Sequence, residues 1–131
     1  MIRRGETFAR RVCLVGAAVD GIMLVPMLAP SIGGKLFGIA NFNPGPDYRY
    51  AMDVGASLML GWTLLLLWAS DRPVERAGVI LLTVIVVLGL GAAGAGAVLS
   101  GFLALPAMAP TFVLQAVLTL LFSAAFLKVR R

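Results

Sequence analysis

Few side chains in this chain can do chemistry. It has no histidine and a single cysteine, Cys13. That excludes a Ser-His-Asp triad, a His-ligated metal or haem site, an intrachain disulfide and a thiolate cluster. Two carboxylates nevertheless stand inside apolar runs: Asp20 in VGAAVDGIMLVPM and Asp53 in YAMDVGASLML. Polar partners recur at helical spacing near them. Ser57 follows Asp53 by one turn, Arg49 precedes it by one turn beside Tyr50, and Gln115 and Thr119 form a similar pair in a later run. No lysine lies within these runs, so a retinal Schiff base is excluded. A carboxylate in apolar surroundings either serves a cation or a proton, or sits neutral as a hydrogen-bonded clip between helices. Both readings stay open for Asp20. For Asp53 the alternatives are a site role and a simple pair with Arg49 in the first turn of a helix, where the dipole favours an acid.

The solvent of these runs follows from composition. Of 131 residues, 60% are hydrophobic and 13% charged, and mean hydropathy is +0.98. Soluble domains carry about 45–50% apolar and about 25% charged residues. The chain therefore reads as all-α and as an integral membrane protein of one domain. Its four apolar runs, at about residues 12–29, 51–69, 78–99 and 107–127, are each long enough for a transmembrane helix. The start MIRRGETFARRVCLVGAAV has the basic and apolar regions of a secretory signal, but Asp20 interrupts it and no A-x-A site follows. It is predicted to remain as the first span, with Cys13 a buried, inert thiol.

Basic residues orient the spans. Arg3, Arg4, Arg10, Arg11, Arg72, Arg76, Lys128, Arg130 and Arg131 flank one side, against Lys35 and Arg49 on the other. This bias predicts an antiparallel four-transmembrane-helix bundle in a bacterial cytoplasmic membrane, with both termini cytoplasmic. The formal charge of +5 is then mostly topology, with contact to anionic membrane lipids. No soluble domain remains to bind nucleic acid.

Depths follow from a rise of about 1.5 Å per residue. Counted from the outer end, Asp20 lies about 13 Å down, Thr119 about 12 Å and Ser57 about 9 Å, while Gln115 at about 6 Å and Asp53 at about 3 Å are shallower. Pro26, two turns outward of Asp20, can kink the first span and help open a cavity there. The outer loop, residues 30–50, contains SIGGKLFGIANF, which suits a short interfacial helix, and NPGPD, which must turn. In SDRPVER, Ser70 or Asp71 is expected to cap the next helix. In the third span Gly89, Ala93, Ala97 and Gly101 recur every four residues. Such a stripe lets backbones approach, either within the chain or between copies as a homodimer.

The block YRYAMDVGASLMLGWTLLLLWASDRPVER, with PMLAP and LFGI upstream, resembles small four-span bacterial membrane proteins. It brings no assigned activity. In size and span count the chain is similar to DoxX-like proteins. One Asp in each of the first two spans also resembles the emopamil-binding-protein (EXPERA) family of sterol isomerases and the sigma-2 receptor. There paired acids face a pocket for sterols and cationic amphiphiles. This chain lacks that family's histidine and aromatic-rich cavity, so the likeness is an analogy.

The functional expectation is a membrane-embedded binding or transport protein without cofactor, metal or catalytic residue. Its outward-opening cavity would be lined by Asp20, Asp53, Ser57, Gln115 and Thr119, with Arg49 and Tyr50 at the rim. The ligand would be lipid-like or a cationic amphiphile, with proton coupling through Asp20. The alternatives are an accessory subunit packed against another membrane protein and, third, an intramembrane isomerase-like enzyme.

Overall fold

A computed structural model describes residues 4–131; Arg3, counted in the charge bias, lies outside them. The described residues form five α-helices and no strand: α1 (Arg4–Leu28), α2 (Pro30–Leu36), α3 (Pro46–Asp71), α4 (Ala77–Leu99) and α5 (Leu105–Arg130). All but α2 are long and apolar enough to cross a membrane. Each outruns its apolar stretch, because nothing breaks the helix where the sequence turns polar. α1 carries its arginines on helical turns, and α3 begins at Pro46, well ahead of residue 51.

Prolines set several starts. Pro30, Pro46 and Pro106 each occupy a first-turn position, where a missing N–H removes no helical bond. The short helix expected in SIGGKLFGIANF is α2, which is shorter than that stretch allows and ends at Leu36. Gly101 is not part of α4. Its φ of 78° is left-handed, and the Phe102 N–H returns to the Ala97 carbonyl at 3.0 Å, which closes the helix. The expected cap by Ser70 or Asp71 is absent as well. α3 continues through Asp71, Ser70 Oγ donates to the Leu67 carbonyl at 2.7 Å, and α4 starts after Arg76 with no side-chain cap. Arg72 and Glu75 instead pair across the turn at 3.3 Å.

Helix packing follows the glycines. A methyl group on Gly16 would lie 2.5 Å from Phe122 Cζ and 3.2 Å from Leu66 Cδ1, so α1 lies tight against both α3 and α5. Gly21 faces Thr63 and Gly55 faces Met27, so rising numbers on α1 meet falling numbers on α3. Gly5 abuts the backbone of Lys128. The start of α1 and the end of α5 therefore share one end with the α3–α4 turn, whose Arg72 and Glu75 line a crevice with Glu6 and Lys128. This is the basic end. α1 is the central helix, α4 is held chiefly by α5, and α3 meets α4 only slightly. A half-buried hydrogen bond links them: Trp62 Nε1 donates to Thr83 Oγ1 at 3.2 Å.

The core is lopsided. Its cluster joins Ala9, Val12, Cys13 and Ala17 of α1 to Leu66 and Ala69 of α3, Ile80 and Val87 of α4, and Leu118, Phe122 and Ala125 of α5. All of these lie in the half nearest the basic end. Toward the opposite end burial becomes sparse, with Ala56 and Met108 its main apolar members.

Candidate functional site

Asp20 stands where the core stops. On α1 the buried stripe runs through Ala9, Val12, Cys13, Gly16 and Ala17, and at three- and four-residue steps the next position is Asp20. The same extrapolation on α3, from Leu66, gives Thr63; on α5, from Leu118 and Phe122, it gives Gln115; on α4, from Val87, it gives Gly91. A polar layer thus covers the side of the core away from the basic end. Asp20, Thr63, Gln115 and Thr119 are all half-buried. The Gln115 Oε1 atom is buried without a hydrogen-bond partner among the described residues and rests against Gly91, where an added methyl would meet it at 3.4 Å.

These groups do not bond to one another. Thr119 Oγ1 donates to the Gln115 carbonyl at 2.8 Å and Thr63 Oγ1 to the Met59 carbonyl at 2.9 Å, each within its own helix. Asp20 has neither a hydrogen bond nor an ion pair among the described residues. Ser57 does not join the layer. It is exposed, on the side of α3 away from the stripe of Ala56, Thr63 and Leu66, and donates to the Asp53 carbonyl at 2.9 Å. The two acids are well separated. Gly21 lies opposite Thr63, while Asp53 shares a crevice with Met27 and Pro30. Asp53 is therefore two to three turns farther from the basic end than Asp20.

That crevice, about 210 Å³, is the second element of the site. Asp53, Arg49 and Tyr48 supply its polar walls, and Met27, Leu28 and Met52 much of its apolar surface. Its position follows from local rules: α3 starts one turn early at Pro46, which brings Tyr48 and Arg49 onto the helix with Asp53. The expected Arg49–Asp53 pair does not form. Arg49 Nη2 turns to Asn43 Oδ1 at 3.5 Å, and the one ion pair among the described residues is Arg72–Glu75. Tyr50 is exposed and outside the crevice, where Tyr48 takes its place, edge-on to Phe42 with ring centroids 5.1 Å apart. Asp20, Ser57, Gln115 and Thr119 do not line it.

Two members of the small-residue stripe are not packed within the chain. Gly89 has nothing within reach of an added methyl, and Ala93 is exposed. α4 meets α5 through Gly94 instead, where a methyl would approach Met108 Cε at 2.9 Å and Phe112 Cε1 at 3.0 Å. The sequence reading missed Gly94 and Tyr48. Gly94 follows Val87 by seven residues on the buried face, and Tyr48 precedes Met52 by one turn, so both signals were periodic. Among the described residues no group of three His, Cys, Asp or Glu side chains is placed to hold a metal ion. No family model, curated protein or solved structure matches this chain.

Proposed function

We propose that this protein is an antiparallel four-helix bundle of a bacterial cytoplasmic membrane, both termini cytoplasmic, that binds a lipid-like or cationic amphiphilic molecule from the outer leaflet. The observation that carries this reading is Asp53: a carboxylate with no ion-pair partner among the described residues, in a crevice whose apolar side is Met27, Leu28 and Met52 and whose polar side it shares with Tyr48 and Arg49. An ammonium head pairs with Asp53 while the hydrocarbon lies on the methionines, whose unbranched thioethers adapt to irregular chains. The lopsided core supports the same direction of opening. Helices locked together at the basic half and sparsely buried in the other can admit a chain between them. Asp20, at the floor of that half, is the acid placed to take a proton when ligand enters or leaves.

The test is binding of dodecylammonium, whose primary ammonium can donate to a carboxylate, to the protein in nanodiscs, wild type against Asp53→Asn. The amide keeps the shape and loses the charge, so affinity should fall by about tenfold or more, the scale of a charge-assisted contact. Unchanged affinity rejects the site.

One observation favours a second reading, an accessory subunit. α4 rests chiefly on α5 and leaves Gly89 and Gly96 with open space around them. A partner helix could pack closely there. A stoichiometric protein partner lost on Ala93→Leu would favour it.

A further inference from the structure

We propose that the crevice at the basic end binds the headgroup of a phospholipid bearing a primary amine, of the phosphatidylethanolamine class. This shares with the preceding reading only the placement of the helices in a membrane. The crevice measures about 470 Å³, within the range of about 300–1,000 Å³ usual for small-molecule sites. It forms where the start of α1, the α3–α4 turn and the end of α5 converge. Its level is that of headgroups: Trp68 is exposed just above it, with the Arg76 guanidinium 3.7 Å over the ring and donating to the Trp68 carbonyl.

The lining carries both signs of charge and keeps part of it apart. Arg72 and Glu75 neutralise each other at 3.3 Å. Lys128 and Glu6 line the same crevice, yet Lys128 Nζ is held 4.0 Å over the Phe8 ring and forms no ion pair with Glu6. A cation–π contact of that kind orients the ammonium without neutralising it. Lys128 and Arg131 thus offer donors to a phosphate, while Glu6 offers an acceptor to an ammonium, over an apolar floor of Val74 and Val129.

Charge and chemistry select among headgroups. A net anionic head would satisfy Lys128 and Arg131 but bring no cation for Glu6. A choline head has no N–H to give Glu6, and quaternary ammonium is recognised by aromatic cages; no aromatic side chain lines this crevice. A primary ammonium beside a phosphate satisfies both sides at once. The lipid's acyl chains then lie against the exposed apolar faces of the helices.

The experiment is native mass spectrometry of the full chain in detergent, with phosphatidylethanolamine, phosphatidylcholine and phosphatidylglycerol of identical acyl chains. The wild type should retain one phosphatidylethanolamine per chain in preference to the other two. Lys128→Gln should weaken that adduct about tenfold, one charge-assisted hydrogen bond. Glu6→Gln should keep phospholipid binding but abolish the preference for ethanolamine over choline. Helicity by circular dichroism guards against a folding defect, and both positions are on helix ends. Equal retention of the three lipids by the wild type, or a preference that survives Glu6→Gln, overturns the proposal. So does displacement of the lipid by inorganic phosphate at the same concentration, which would make the crevice a free-anion site.

Discussion

Gly16→Ala should destabilise this protein, although alanine is the better helix former. The substituted methyl would sit 2.5 Å from Phe122 Cζ, 3.0 Å from Phe122 Cε2 and 3.2 Å from Leu66 Cδ1. Neither neighbour can withdraw easily: Phe122 and Leu66 are 1% and 0% exposed. Overpacking of this kind costs about 1–3 kcal/mol. The change from glycine returns about 0.5–1 kcal/mol of backbone entropy. The two ranges leave a net loss of up to about 2.5 kcal/mol, a fall of up to about 10 °C in the unfolding midpoint by the scaling of domains this size. Gly89→Ala is the control. Nothing lies within reach of its methyl, so only the entropy gain remains and the midpoint should rise or hold. Thermal unfolding in detergent, followed by circular dichroism, reads both. A double-mutant cycle sharpens the assignment: with Phe122→Leu, the Gly16→Ala penalty should shrink, because the clashing ring edge is gone. A Gly16→Ala variant as stable as the wild type, or a penalty unchanged by Phe122→Leu, would refute the packing of α1 against α5.

Other outcomes follow from the same geometry. Thr83→Val should cost about 1 kcal/mol, since it strands the Trp62 indole N–H, and thermal unfolding would show it. Asp20→Leu should raise the midpoint while impairing function. An acid in mid-span costs about 2.5–3.5 kcal/mol on insertion scales, and this one has no partner among the described residues. A variant less stable than the wild type would mean that Asp20 is a structural clip. Arg49→Gln should raise amphiphile affinity by up to about fivefold, since Arg49 lines the crevice as a like charge and is not paired with Asp53. Tags at both termini should report from one side of the membrane and a label at Asn41 from the other; labels on the same side would break the four-span topology.

The helices were legible because their signal is compositional. Uninterrupted apolar runs, first-turn prolines and a basic bias need no tertiary knowledge. Which face of each helix turns inward was less legible, because spans that are apolar all round carry little amphipathic pattern. In α4 the every-fourth stripe of Gly89, Ala93 and Ala97 is more conspicuous than Gly94, yet Gly94 makes the contact, and Gly101 serves as the helix stop. Depth alone could not place Ser57. It shares with Asp53 the half of α3 away from the basic end, but its azimuth turns it away from the core. Asp20 and Gln115 were readable as polar residues at membrane depth. Their shared position at the edge of the core emerged only from packing.

The most direct measurement of the central claim is photolabelling with a cationic amphiphile that carries a diazirine near its head, followed by peptide mapping of the wild type and Asp53→Asn. The label should fall on Met27, Leu28 or Met52 in the wild type and disappear from them in the variant. Label spread along the exposed faces of α4 and α5, and unchanged by Asp53→Asn, would contradict the account.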